Sequence, residues 1–498
     1  MRVTLVAINA MYVHTNLAVR CLHAAVERTI PDIQHTVLEL HCNQPFATHL
    51  HAIWATRPET ACFSTYIWNR ERVLMLARTL KQVIPELRVV LGGPEVSYYS
   101  ADIMERCPYI DAIVAGEGEE SYPALLAAFR EGAQGPLLFE PSAPLPQEEW
   151  PDPYDGVPAL DADRLWYAET ARGCLFHCQY CLSAGEKVRA LPARQAAGRL
   201  AGMAARGARL IKLVDRTFNF DPARAREIWR ELLALDTECV FHFEVEARLL
   251  DAESLALLDG APEGRFQFEI GVQSTAPEVL RAVRRGGCFE DIARAVSALR
   301  ATNSIPLHLD LIAGLPGESW AGFSRGFDQV YALRPHKLHL GFLKLLQGSG
   351  LRRDAEKLGI VYATDPPYEV LSTPNLTFAE LQALHDVKKA LDWYGNSGRH
   401  SALMGVIIGK ESAFAVYHEL AGWLRAKGLY DAERSASQRS EALEAYAATR
   451  SGLAPEIIRE AICADRSVQA GYRRYRRREQ HVPHGASGHK GQDNKHRA

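Results

Sequence analysis

Short apolar runs alternate with helix-length amphipathic stretches over the first 130 residues. Val3 to Ile8, Thr36 to Leu40, Ala61 to Thr65 and Arg88 to Leu91 read as strands, followed by Ala112 to Ala115. Strands separated by helices predict a doubly wound parallel sheet of the α/β class. Ligands of such sheets sit beyond the carboxyl ends of the strands. Those ends run into Asn9-Ala10-Met11, Ser64-Thr65-Tyr66, Gly92-Gly93-Pro94-Glu95 and Gly116-Glu117-Gly118-Glu119, so four loops should share one rim.

Seven prolines and Trp150 lie between Gln134 and Pro158. A backbone so short of donors cannot run as helix or central strand, which places a domain boundary there. Beyond it the alternation resumes, with strands near Trp166 to Ala171, Leu210 to Val214, Phe241 to Val245, Phe266 to Val272, Pro306 to Ile312 and Lys337 to Leu343. Six strand-helix units predict a partial barrel, open on one side, with function at the carboxyl ends of its strands. From about Thr373 the period becomes helical, and Thr377 to Glu380 form a capping box. Tyr472 to Ala498 open with Arg473, Arg474, Arg476, Arg477 and Arg478, continue with polar residues, and lack the apolar surface to fold, so a disordered basic tail is expected. The resulting division is 1–133, a Pro-rich linker 134–163, a barrel 164–365, a helical domain 366–471 and the tail 472–498.

Composition changes this picture little. The 57 Lys and Arg against 60 Asp and Glu give a formal charge of -3, which exerts no global pull toward nucleic acid or anionic membrane. The first apolar run is too short for a signal peptide and no apolar stretch has the length of a membrane span, so a cytoplasmic protein is expected. Seven of the ten cysteines are isolated and read as reduced core thiols. Cys174, Cys178 and Cys181 are different.

They have the spacing C-x3-C-x2-C directly after the first barrel strand. With ten cysteines in 498 residues, a given Cys has such followers by chance about once in 2,500 trials. A structural zinc site wants four ligands from paired half-sites; no second C-x2-C exists, although His177 is available as a fourth ligand. Three thiolates suit a [4Fe-4S] cubane better, since they hold three irons and leave the fourth open.

On these residues the segment Trp166 to Leu351 resembles the radical S-adenosylmethionine superfamily. That resemblance implies a cluster on Cys174, Cys178 and Cys181, whose open iron chelates S-adenosylmethionine and whose electron cleaves it to methionine and a 5′-deoxyadenosyl radical. It also implies that Tyr180 packs on the adenine and that Asp215, Arg216 and Asn219 take the place of the usual Gly-Gly-Glu contacts to methionine. Glu244 and Glu246, Gln273 and Ser274, and the segment Asp310 to Glu318 with Gly314 would close the third, fourth and fifth strands around the cofactor.

Placed before such a barrel, the N-terminal domain resembles the Rossmann-like cobalamin-binding domain of the cobalamin-dependent branch. Ser64, Tyr66, Asn69, Gly92, Gly93, Pro94, Glu95, Gly116, Glu117, Gly118 and Glu119 would then face the corrin, glycines allowing close approach to a flat macrocycle. The usual D-x-H-x-x-G motif is absent, and His14 is the nearest substitute for its histidine. Leu391 to Arg399 look like part of an uncharacterised C-terminal domain of one subgroup; as plain sequence they read as a helix stop at Gly395 and Gly398.

The resemblance implies methylation of an unactivated carbon by way of methylcobalamin, on a small molecule or peptide, with a low-potential donor such as flavodoxin or ferredoxin and no membrane partner. Radical oxidation, cyclisation or ring rearrangement without methyl transfer is the alternative within the family. A metal-binding redox-sensing module is the alternative outside it, and the basic tail alone argues for tRNA.

Overall fold

The computed structural model describes residues 1–140, 143–155, 163–302 and 304–480, with side chains up to residue 467. The first sheet is built from β1 (Arg2–Asn9), β2 (Gln34–His41), β3 (Thr60–Ser64), β4 (Arg88–Gly92), β5 (Ala112–Val114) and β6 (Leu137–Phe139), in the order β2-β1-β3-β4-β5-β6, all parallel. Val3, Leu5 and Ala7 of β1 pack against one helical layer, and Val6 and Ile8 against the other. A strand apolar on both sides has to be covered on both sides, which is why the sheet is doubly wound. β6 lies within the stretch read above as linker, so the first sheet reaches past residue 133. It occupies an edge, where a Pro-flanked strand can stand because only one side must donate.

The second unit follows as β7 (Trp166–Ala168), a hairpin of β8 (Ala171–Arg172) and β9 (Arg189–Ala190), then β10 (Leu210–Leu213), β11 (Val240–Glu244), β12 (Phe266–Gln273), β13 (Leu307–Ala313) and β14 (Lys337–Phe342). Six of these strands form a parallel sheet in the order β14-β13-β12-β11-β10-β7, with β7 and β14 left unpaired at its edges. The partial, laterally open barrel expected from the sequence is therefore present. Its strands alternate with period two. Ile211, Leu213, Phe241, Phe243, Phe266, Phe268, Leu307 and Leu309 are buried against the helical layer. Lys212, His242, Glu244, Gln267, Glu269, His308, Asp310 and His339 take the intervening positions and face the lumen.

A small hairpin, β15 (Val361–Tyr362) with β16 (Val370–Ser372), leads into the helical C-terminal part. Thr377 caps the helix Phe378–Ala390, with Glu380 closing the capping box. The Leu391–Arg399 segment begins as one π-helical turn, Leu391–Gly395. A Cβ at Gly395 would stand 2.6 Å from the Tyr417 hydroxyl, so this glycine answers to packing. The last helix runs from Pro455 to Gln480 and takes up the arginines expected to be disordered. Helix hydrogen bonds need no apolar face, and Arg, Glu and Gln are good helix formers. The rest of the expected tail, 481–498, lies outside the described residues. Among the described residues no helix is long and apolar enough to cross a membrane.

Phe243 sits at the centre of the barrel's outer layer, with ring centroids 4.3 Å from Phe218, 5.6 Å from Phe266 and 6.0 Å from Phe268. Phe243→Ala should therefore cost about 3–5 kcal/mol, measured as a shift of the denaturant midpoint followed by tryptophan fluorescence.

Candidate functional site

The cysteine triplet lies in the loop closed by the hairpin, where Ala171 pairs with Ala190 and Arg172 with Arg189. Inside it the Cys174 N–H donates to the Glu186 carbonyl (3.1 Å), Gly185 to Phe176 (2.8 Å) and Cys181 to Cys178 (3.0 Å). Gly173 has φ +86°, and a Cβ there would meet the Lys187 carbonyl oxygen at 2.5 Å. Only glycine fits. The loop is also pinned from outside, by Gln179 donating to the Val283 carbonyl (3.0 Å) and Leu351 donating to the Gln179 carbonyl (3.0 Å).

All three thiols are free. The Cys174 Sγ lies 3.7 Å from the Thr217 hydroxyl, and the Arg285 guanidinium is 3.9 Å from the Cys178 Sγ. Burial pushes the Cys181 thiol up, Arg216 pulls it down, and Cys174 and Cys178 push it further up, so the three sulfurs share one electrostatic site. Among the described residues no three His, Cys, Asp or Glu side chains are tight enough around one point to hold a single metal ion. A cubane binds each thiolate to a different iron and needs no such point. The donor set therefore fits a cluster. His177, the possible fourth zinc ligand, is exposed, and its ring lies against Gly185.

The other residues picked out by sequence are mostly gathered at this mouth, but several have internal partners. Tyr180 is largely enclosed, its hydroxyl without a hydrogen-bond partner. Asp215 is buried and accepts hydrogen bonds from the Thr170 N–H (2.7 Å) and the Thr170 hydroxyl. Asn219 exchanges hydrogen bonds with the backbone of Glu246 (2.9 and 2.8 Å), and the Glu246 carboxylate is held by Arg248. These side chains shape the strand ends. Arg216 is exposed beside Cys181 and Glu244. Gln273 adopts φ +68°, a left-handed conformation unusual for a side chain of its kind. Ser274 donates to buried Glu318 (2.6 Å), and Gly314 has φ +89° beside Val370.

Below the mouth the lumen is polar. Glu269 accepts from Lys212 and bonds the His242 ring, each at 2.9 Å. Glu244 is pushed up to about 7 by burial and by Glu269. Burial also raises the Asp310 carboxyl, whose Oδ1 has no hydrogen bond and faces His339 at 3.6 Å. A closed barrel fills this space with branched apolar side chains.

The rim of the first domain meets the barrel here. His14 sits on the seam: its Nδ1 is 2.7 Å from the Tyr167 hydroxyl, and its neighbour Thr15 donates to the Leu165 carbonyl. Burial, Lys212 and Arg164 hold its pKa below the ordinary histidine value. Asn69 is buried and donates to the Ile8 and Ser64 carbonyls (3.0 Å each), which fixes the loop carrying Ser64 and Tyr66. Gly93 has φ +104°, and a Cβ there would stand 2.7 Å from the Thr65 carbonyl; one at Gly118 would stand 2.8 Å from Leu22. Internal packing thus accounts for both glycines. Gly92 and exposed Gly116 complete the two turns, and Pro94 opens the short helix Pro94–Ser97. Glu95 accepts a hydrogen bond from the Tyr368 hydroxyl (2.6 Å), and Glu117 and Glu119 are paired with Arg172.

Sequence reasoning missed the exposed apolar residues of this rim. Met11, Tyr12 and Trp68 are 49%, 46% and 46% exposed at the carboxyl ends of β1 and β3, and Trp68 stacks on Tyr66 at 4.5 Å. Large, half-exposed side chains at a strand-end rim fit a flat, largely apolar macrocycle. Their signal was available in the Met11-Tyr12 and Trp68 positions of two loops already marked as binding loops.

Three protein families match the chain: a B12 binding domain over residues 3–126, the radical SAM superfamily over 169–326, and a protein of unknown function (DUF4080) over 356–478. A 2-(S-pantetheinyl)-carbapenam-3-carboxylate methyltransferase of Streptantibioticus cattleyicolor is 28% identical over 324 residues, which is 57% of this chain and 46% of that protein. The cobalamin-dependent radical SAM methyltransferase TokK of Streptomyces tokunonensis is 25% identical over 315 residues, 56% of this chain and 46% of its own. The chain spans about half the length of these relatives. Among solved structures, the cobalamin-dependent radical enzyme OxsB shares the fold with a TM-score of 0.60 at 13% identity, covering 95% of this chain and 81% of that one. The methyltransferase TsrM from Kitasatospora setae gives 0.56 at 19% identity, covering 76% and 80%. The matched domains make cobalamin, S-adenosylmethionine and a [4Fe-4S] cluster the cofactors of this protein. The chain thus carries a B12 binding domain, a radical SAM domain and a domain of unknown function in that order, an arrangement consistent with the cobalamin-dependent radical S-adenosylmethionine family.

Proposed function

We propose that the protein is a cobalamin-dependent radical S-adenosylmethionine enzyme that methylates an unactivated carbon of a small molecule or peptide. The observation that carries this reading is the tie, through Arg172 and Arg189, between the hairpin that holds three free thiols and the Glu117–Glu119 rim loop of the domain matched as B12-binding. The methyltransferase names of two relatives support the choice of methylation over other radical outcomes.

Cys174, Cys178 and Cys181 are the cluster ligands in this reading. When bound, the cofactors would supply a primary carbon radical and a transferable methyl group. The chain's own part is positioning. Gly173 and the hairpin hold the thiolates in one loop conformation. Tyr180 offers an enclosed aromatic face beside Cys181, and Arg216 an exposed cation for a carboxylate. Glu244, Gln273 and Gly314 line the strand ends around them. Across the gap, Met11, Tyr12, Tyr66 and Trp68 would cover the macrocycle, with Ser64, Asn69 and the loops Gly92 to Glu95 and Gly116 to Glu119 beneath it. The His14 ring is engaged by Tyr167 through Nδ1, so Nε2 is the nitrogen that would be available to a bound cobalamin. A substrate enclosed between the two domains would be shielded from water.

Cys174→Ala, Cys178→Ala or Cys181→Ala should each abolish 5′-deoxyadenosine formation by the anaerobically reconstituted, dithionite-reduced protein while the visible spectrum of bound cobalamin persists. Unchanged formation in any one variant would remove that residue from the ligand set. With S-adenosylmethionine labelled at its methyl group and a metabolite or peptide extract as substrate source, label should appear in a product by mass spectrometry. Label confined to methionine and cobalamin, alongside an altered but unlabelled product, would replace methylation by oxidation or rearrangement.

A further inference from the structure

Arg172 lies in the hairpin, separated from Cys174 by Gly173 alone. Its guanidinium meets three carboxylates: Nη1 is 3.0 Å from Glu117 Oε2, Nη2 is 2.5 Å from Glu119 Oε1, and Nε is 2.7 Å from Glu169 Oε2. Trp150 covers one face, 4.4 Å from the guanidinium carbon. Arg189, its register partner across the hairpin, also pairs with Glu117 and donates to the Leu145 carbonyl (2.6 Å). Both arginines of the cysteine hairpin are thus tied to the rim loop of the other domain and to the segment joining the two.

Both sides of this contact are closely packed. On the barrel side Gly173 leaves no room for a side chain, a Cβ there standing 2.5 and 2.8 Å from the Lys187 and Glu186 carbonyls, and the next residue, Cys174, donates its N–H to the Glu186 carbonyl (3.1 Å). On the rim side Glu117 and Glu119 flank Gly118, which abuts Leu22. The Arg172 side chain is 13% exposed and that of Glu119 6%, so solvent screens this pair little. Removing one member would leave buried charge uncompensated.

We propose that Arg172 is a positioning residue that couples the two cofactor sites: cobalamin bound at the rim favours the loop conformation that holds the cluster, and the cluster favours cobalamin. The inference rests on the functional reading above, because it requires both cofactors to bind where that reading puts them. Coupling of this kind is reciprocal, so it is measurable from either side. A residue needed only for folding would lower both affinities and leave their ratio unchanged.

The test is a titration of hydroxocobalamin, followed by its visible spectrum, into cluster-free and anaerobically cluster-loaded full-length protein. The wild type should bind at least about fivefold more tightly when the cluster is present, the lower end of usual coupling. In R172Q the two dissociation constants should agree within about twofold. R172K should recover only part of the difference, because a single ammonium cannot span three carboxylates. If R172Q fails to fold, E119Q, which removes one of the three charges, must show a reduced ratio. A wild-type ratio near one, or a variant keeping the wild-type ratio, overturns the coupling. Failure of the wild type itself to bind cobalamin in either form would instead sink the functional reading, and the coupling with it.

Discussion

Each barrel strand has to present apolar side chains to the helices behind it and something else to the space in front, and the period of two makes this a single constraint. Phe241 and Phe243 satisfy the first demand, which frees His242 and Glu244 for the second; the same division runs through Gln267 and Glu269, then His308 and Asp310. An aromatic outer layer around Trp229 stabilises the sheet strongly enough for its inner face to stay polar. Everything at the mouth depends on this. Were the lumen packed with branched apolar residues, as in a closed barrel, no room or polarity would remain for a ligand above it.

That constraint also explains what could be read from sequence. All five strands foreseen in the first domain and all six in the barrel are present, because runs such as Val3 to Ile8 and Phe266 to Val272 carry their pattern locally. The cysteine loop was legible from spacing alone. What was not legible depends on distant partners. β6 is three residues long among prolines and exists because the edge of β5 is there to receive it. Glu117, Glu119 and Glu95 read as rim residues waiting for a ligand, yet Glu117 and Glu119 meet Arg172, 53 positions beyond Glu119, and Glu95 meets Tyr368, 273 positions away. Nothing in the four-residue loops announces those partners.

The glycines carry a related lesson. A glycine beside a binding loop invites the reading that a ligand lies against it, but Gly93 faces the Thr65 backbone, Gly118 faces Leu22 and Gly395 faces Tyr417. Glycine permits close approach without saying what approaches. Met11, Tyr12 and Trp68 of the same rim are the more telling residues, each about half exposed at the carboxyl end of a strand.

Tyr368 belongs to the C-terminal third of the chain and is fully buried in a left-handed backbone conformation, φ +57°. Its hydroxyl meets Glu95, Arg70 and Gln347, and Arg352 lies over its ring at 4.6 Å. One phenol thus closes a knot between the first domain, the end of the barrel and the start of the helical domain. The C-terminal domain is consequently no detachable accessory: a chain shortened before Tyr368 would leave the buried Glu95 carboxylate and the Arg70 guanidinium without the phenol that joins them.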